Sequence, residues 1–295
     1  MTTTERGGGR HRRPRKKHRL PVWLAVLAVL AAGVLWFRWQ CWGVQATHTE
    51  AVLPGLPAGF DGLTIVHLSD LHGHPYGPDS ERLLRMTAEQ EPDLIVVTGD
   101  LIDRKEQLDM VPALARGLAA IAPAYYVTGN HEWALGGAAV KELKALLTEC
   151  GVTVLSNRSE LLERDGGQVV LAGVDDPNGY ADQLSPEGLY GAIQLKYPGA
   201  YTVLLAHRND RFGQYANAGY DFVLSGHGHG GIVRLPFVGG LIGTDRRFFP
   251  RWSSGLYTVG DSTLFVSRGL GNNTTPFPGF RLFNRPELAV VTLKC

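Results

Sequence analysis

The chain has 295 residues and is 44% hydrophobic, enough to bury a substantial core in one large domain or two small ones. Its net charge of +1 hides an asymmetry: residues 1–19 hold eight of the 29 Lys/Arg and one of the 28 Asp/Glu, which leaves 21 basic against 27 acidic residues in the body and no global case for nucleic-acid binding. Three cysteines (Cys41, Cys150 and Cys295), none in a CxxC spacing, exclude a disulfide framework and a thiolate zinc or redox motif.

From the amino terminus, the basic stretch 6–19 reads as a solvated cytoplasmic tail attracted to anionic lipid. The eighteen residues 20–37 carry no charge and end at Arg38. At about 1.5 Å per residue they span roughly 27 Å, enough for a bilayer core. Trp23, Trp36, Trp39 and Trp42 lie near the ends of this run, where amphipathic rings favour the interface. The pattern predicts a retained single-pass anchor at the cell membrane, with the body extracytoplasmic. A cleaved signal peptide is the competing reading. Its apolar region would be shorter, about 7–15 residues, and Val44-Gln-Ala46 is a poor cleavage site.

Residues 38–60 read as a linker, with an entry strand within 43–60 and breakers at Pro54, Gly55, Pro57 and Gly59. From 61 to 295 the pattern is that of one domain. Strands are predicted at Leu63–Leu68, Leu94–Thr98, Ala124–Thr128, Val169–Ala172, Tyr201–Ala206 and Asp221–Leu224. Helical periodicity falls in 80–91, 107–121, 138–149 and 209–217. The remainder, Gly255–Val259, Thr263–Val266 and Leu288–Leu293, is β without intervening helices, with Asp261 in a hairpin turn. Helices outside and sheets inside make an α/β (α+β) layered fold.

Five strands are followed by polar clusters. Asp70 and His72 come after the first, Asp100 and Asp103 after the second, and Asn130, His131 and Glu132 after the third. His207 follows the fifth, and His227 and His229 the sixth. Strand ends at one sheet edge bring such loops together. Oxygen and imidazole ligands without thiolate suit Mn²⁺, Fe or Zn²⁺. Two metals about 3.5–4 Å apart neutralise a phosphoester's negative oxygens and acidify the attacking water, and Asp100 is the natural bridging carboxylate. Each cluster alone would pass for a turn, a helix cap or a polar loop; jointly they point to metal-assisted phosphoester hydrolysis.

The blocks D-x-H, G-D-x-x-D, G-N-H-E, H and G-H-x-H, in that order over residues 61–295, resemble the calcineurin-like metallophosphoesterase superfamily. The single amino-terminal span, LSDLHG, LLAH, SGHGHGG and SRGLGNN…FNRPELAVVTL resemble its membrane-anchored bacterial phosphohydrolase branch. The resemblance implies a four-layer αββα sandwich of two mixed β-sheets, preceded by one transmembrane helix. It implies one metal on Asp70, His72, Asp100 and His229, and another on Asp100, Asn130, His207 and His227. A hydroxide bridging the metals would attack phosphorus, with His131 assisting the leaving oxygen and Asp103 and Glu132 orienting imidazoles. The branch often has Thr or Ala where Gly228 stands, Gln where Ile232 stands and Pro soon after the histidine at 207; here Arg208-Asn209-Asp210 follows. These departures bear on substrate, not on metal.

Elsewhere, Cys150 and His67 read as core residues, Asp175 and Asp176 as turn residues near the pocket, and His74 as an outside candidate for substrate contact. Residues 234–254 combine Arg246, Arg247 and Arg251 with Phe248, Phe249 and Trp252. They suggest a rim that binds an anionic, partly apolar substrate or faces lipid. The expected function is a dinuclear-metal phosphohydrolase, more a phosphodiesterase, acting on envelope or lipid-linked phosphoesters, with no nucleic-acid partner. The alternative is a metal-bearing, non-catalytic scaffold. Nothing in the sequence sets the oligomeric state.

Overall fold

The computed structural model describes residues 22–181, 183–244, 246–271 and 279–295. The basic tail read from the sequence lies outside them. The chain divides into two units, one ending at Phe37 and the other running Arg38–Cys295. Helix α1, Val22–Trp42, crosses that boundary. Over 22–37 its side chains are apolar on every face and largely exposed, and by length and composition it can cross a bilayer. It is longer than the predicted run at its carboxyl end, where it continues through Arg38 to Trp42.

The second unit is built on two six-stranded mixed sheets. In chain order, the first holds β1 (Gln45–Val52), β2 (Thr64–Leu68), β3 (Leu94–Thr98), β4 (Ala124–Val127) and β5 (Thr153–Val154). The second holds β6 (Arg158–Arg164), β7 (Gly167–Gly173), β8 (Tyr201–Arg208) and β9 (Phe222–Gly226). A short pair, β10 (Arg234–Leu235) and β11 (Gly239–Gly240), follows. Next, β12 (Gly255–Val259) and β13 (Ser262–Val266) join the second sheet, and β14 (Glu287–Lys294) returns to the first. The first sheet is ordered β1-β14-β2-β3-β4-β5 and the second β12-β13-β9-β8-β7-β6. Strands β2 to β5 run parallel, as do β7, β8, β9 and β13. Parallel strands need crossovers, and the helices supply them.

Alternation within single strands shows the layering. In β3, Ile95 and Val97 pack with Leu83 of α2 (Glu81–Ala88), Leu114 and Leu118 of α3 (Val111–Ile121) and Leu143 and Leu147 of a later helix, Gly137–Glu149. Leu94 and Val96 face the other way, into a core shared with Val203, Leu205, Phe222, Leu224 and Phe265 of the second sheet. The far face of that sheet packs Val170, Leu204 and Val223 against Leu189, Ile193, Phe212 and Tyr215 from two further helices, Pro186–Lys196 and Phe212–Ala218. Three cores between four layers make an αββα sandwich. Both faces of each sheet are buried, so β3 reads as an unbroken apolar run.

In order, the helices after α3 are α4 (Asn130–Ala134), α5 (Gly137–Glu149), α6 (Pro186–Lys196) and α7 (Phe212–Ala218). The segment 43–60, read as linker and entry strand, contributes β1, which pairs parallel with β14 over eight residues. Predicted helix 107–121 is a 3-10 segment, Lys105–Met110, followed by α3, whose first turn carries Pro112, where a missing N–H costs nothing. Asp261 sits in the turn of the β12–β13 hairpin, where Val259 pairs with Ser262.

Candidate metal centre

The carboxyl ends of the parallel strands of both sheets meet at one edge. Strands β2, β3 and β4 deliver Asp70 and His72, Asp100 and Asp103, and Asn130 and His131. Strands β8 and β9 deliver His207, and His227 and His229. Asp70, His72, Asp100, His227 and His229 all have left-handed backbone (φ 47° to 64°), a strained state for non-glycine residues that concentrates at functional sites. The loops approach so closely that only glycine fits beside two of them. A Cβ on Gly129 would lie 2.2 Å from Oδ1 of Asp100, and one on Gly226 would lie 2.3 Å from Oδ2 of Asp70.

Among the described residues, three groups have ligand atoms close enough to hold metal ions: Asp70, His72 and His229; Asp100, His207 and His227; and His72, Asp100 and His131. Around Nε2 of His207 lie Oδ2 of Asp100 at 3.2 Å, Oδ1 of Asn130 at 3.1 Å and Nδ1 of His227 at 3.2 Å. The opposite nitrogen, Nδ1–H, donates to the Thr98 carbonyl at 2.8 Å. A neutral His207 therefore turns its Nε2 lone pair toward the Asp100 and Asn130 oxygens, an electron-rich cluster that suits a cation. Burial would lower the His207 pKa, but the charge and hydrogen bond of Asp100 raise it to about 10. A cluster that draws positive charge onto His207 is a donor set that fits a divalent ion.

His72 is held similarly. Its Nδ1 donates to Oδ1 of Asp103 at 2.7 Å, which turns the Nε2 lone pair toward Asp70, Asp100 and His229. His229 presents Nε2 at 3.4 Å from Asp70 and 3.1 Å from His72. Buried Arg281 donates to its Nδ1 at 3.3 Å, an arrangement that places the hydrogen of a neutral His229 on Nε2, facing His72. Arg281 also donates to the carbonyls of Arg268, Gly269, Gly271 and Asn284 and would keep those if the imidazole hydrogen moved.

Asp103 serves two imidazoles, because Nδ1 of His131 also lies 2.7 Å from its Oδ1. His131 is about one-third exposed, with Nε2 3.8 Å from Asp100. Burial lowers its pKa, yet the Asp103 hydrogen bond and the charges of Asp100, Asp103 and Glu132 raise it to about 9. Asp100 itself is held well below the usual carboxylate range: burial opposes this, and His207 outweighs it.

Glu132 corrects one expectation. It orients backbone in place of an imidazole, accepting from the N–H groups of Gly129, Asp100, Leu101 and Ile102 and so fixing the loop that carries Asp100. Of the predicted rim, Arg247 and Arg251 line a cavity of about 630 Å³ with Asp100, Asn130, His131 and His227–His229; Arg246 is exposed outside it. Sequence reasoning missed Arg208, which also lines the cavity and pairs with Asp210 at 3.0 and 3.2 Å. It also missed how two departures fit together. A Cβ at Gly228 would lie 2.5 Å from Nδ2 of Asn209, and that amide donates to the Trp252 carbonyl at 2.6 Å, tying the rim to the last histidine pair. His74 stacks on Trp42 (4.6 Å) and is not among the cavity's lining residues. His67 is buried on Thr98, and Asp175 accepts from Lys144, Ser156 and Thr128, structural roles for both.

Residues 63–231 match the family of calcineurin-like phosphoesterases. This chain belongs to that family. Among its relatives, the uncharacterized metallophosphoesterase YkuE of Bacillus subtilis is 33% identical over 81% of this chain and 82% of its own length. The phosphodiesterase YaeI of Escherichia coli is 30% identical over 78% and 81%. A transmembrane protein with a metallophosphoesterase domain from Danio rerio is 31% identical over 85% of this chain and 57% of its own. The match begins just before β2 and ends after His229, so it spans every strand-end cluster described above.

Proposed function

We propose that this phosphoesterase is a membrane-anchored, dinuclear-metal phosphodiesterase whose catalytic domain lies outside the cytoplasm. The observation that carries the reading is that Asp100 belongs to two ligand groups at once, its Oδ2 lying 4.0 Å from Nε2 of His72 and 3.2 Å from Nε2 of His207. Asp70, His72, Asp100 and His229 would hold one divalent ion, and Asp100, Asn130, His207 and His227 the other. When bound, such ions neutralise phosphoryl charge and acidify water, the chemistry a resistant ester needs.

The chain's own groups do the rest. Asp103 fixes His131 through Nδ1 and leaves Nε2 directed at the cavity, where it donates a proton to the departing oxygen. Glu132 holds the Asp100 loop in its strained geometry. Arg208, Arg247 and Arg251 give the cavity a cationic wall for a phosphodiester, and Phe248, Phe249 and Trp252 give it an apolar one. YaeI, a relative, bears the name of a phosphodiesterase, which favours diesters over monoesters. Apolar α1, the basic block before it and the transmembrane relative support the anchor and its orientation. The natural substrates of an anchored external enzyme are envelope or lipid-linked phosphodiesters.

The test is hydrolysis of bis-p-nitrophenyl phosphate against p-nitrophenyl phosphate by the full chain supplied with Mn²⁺, beside Asp100→Ala. Diester turnover that Asp100→Ala abolishes is expected. Turnover of the monoester alone would make the protein a phosphatase. Stoichiometric metal binding without turnover would favour a scaffold.

A further inference from the structure

Between the metal centre and the end of α1 lies a small flap. Backbone pairing runs from Leu282 to Val233, on through β10 and β11, and then from Ile242 to Phe248. Arg234 N–H donates to Leu282 O, Leu241 N–H to Val233 O and Phe249 N–H to Leu241 O, so four short segments lie side by side. One edge of the flap is fastened to the last turn of α1. Arg285 lies over the Trp39 ring at 4.0 Å and donates to the carbonyls of Gly43 and Val44, and Cys41 Sγ donates to Arg281 O at 3.6 Å. The other edge, Phe248–Trp252, lines the cavity over the metal centre.

The flap's outer residues are apolar where a soluble surface would be polar. Phe237, at the β10–β11 turn, is fully exposed, Phe248 and Phe249 are 68% and 61% exposed, and Leu235 and Val238 are exposed beside them. Phe237, Arg246 and Phe249 all hold left-handed backbone (φ 55° to 66°), costly for such side chains and unrewarded by burial in the chain itself. Exposed Arg246, Arg247 and Arg251 stand among these rings. Apolar rings interleaved with cations match the boundary between anionic headgroups and acyl chains.

We propose that this flap docks onto an anionic bilayer, with Phe237, Val238 and Phe248 entering the headgroup layer, so that the cavity opens at the membrane surface. Continuity decides the occupant. The flap is bonded to residues 39–44, where the chain leaves its apolar helix, and so lies within a few residues of the interface once α1 is embedded. The proposal rests on the anchoring reading above and adds that the catalytic domain lies on the lipid and does not hang from a tether. Substrates presented by the membrane then reach the arginine-lined wall without leaving the lipid surface.

The full chain is reconstituted in nanodiscs of phosphatidylglycerol whose acyl chains carry nitroxide. A bimane label is placed at Phe237→Cys or, as control, at Leu195→Cys on α6, each in a Cys295→Ser background. At least twofold quenching at 237 and none at 195 is expected, with 237 less quenched in phosphatidylcholine discs. Equal signals at 237 and 195 in chains that co-elute with the discs would overturn docking and leave the anchor standing. Chains that fail to co-elute would overturn the anchor and the proposal with it.

Discussion

The metal centre and the flap are built on opposite principles. In the centre, most of the candidate ligands are buried and several are held by neighbours: Asp103 on His72 and His131, the Thr98 carbonyl on His207, and Glu132 on the Asp100 loop. In the flap, rings and guanidinium groups project into solvent from strained backbone. Rigid support fixes what the chemistry demands, and exposed variable loops decide what is brought to it. The contrast predicts large effects on turnover from the centre and modest ones, on affinity alone, from the rim.

The largest effect belongs to Asp100. Asp100→Ala removes the one carboxylate common to both groups, and kcat toward bis-p-nitrophenyl phosphate should fall at least about 10³-fold, as for loss of a principal electrostatic element. His131→Asn should lower kcat by about 10²-fold with little change in KM or bound metal, as loss of a general acid does; a KM effect alone would place His131 in binding. Glu132→Gln should destabilise the fold by about 2–3 kcal/mol in urea melts, because a buried acceptor of four N–H groups becomes an amide with donors of its own. A change in activity at constant stability would move Glu132 into the chemistry.

A subtler prediction concerns acid. Burial lowers the His67 pKa from 6.5 to about 3, so the folded chain keeps it neutral while the unfolded chain protonates it. Its contribution is intact above pH 6.5 and is lost as pH falls toward 3, at up to about 1.4 kcal/mol per pH unit. His67→Gln, which can still bond Thr98, should flatten stability against pH in that window; an unchanged slope would contradict the assignment. The smallest effect is at the rim: Arg247→Ala or Arg251→Ala should raise KM for a diester about three- to tenfold and leave kcat unchanged.

Legibility divides along the same line. The buried parallel strands announced themselves, since Leu94–Thr98 is apolar on both faces and its observed bounds are those the sequence implies. The ligand residues follow such strands, so their convergence could be read as soon as the strands were. What escaped depends on distant pairing. The entry strand expected within 43–60 is β1, but its bounds are not legible, since QATHTEAV alternates weakly and is fixed by β14, more than 240 positions away, lying beside it. β6, RSELLER, is charged like a surface helix, as an edge strand is permitted to be. No local pattern marks that Glu132 serves amides or that Asn209 fills the space beside Gly228; those are close approaches of separate loops.

The measurement closest to the central claim is a metal count with activity on the same sample. The full chain, purified and supplied with Mn²⁺, should carry two divalent ions by elemental analysis and hydrolyse the diester. Asp100→Ala should lose at least one ion together with the turnover. Two ions retained by active Asp100→Ala, or full activity with fewer than one ion per chain, would contradict a dinuclear centre joined by that carboxylate.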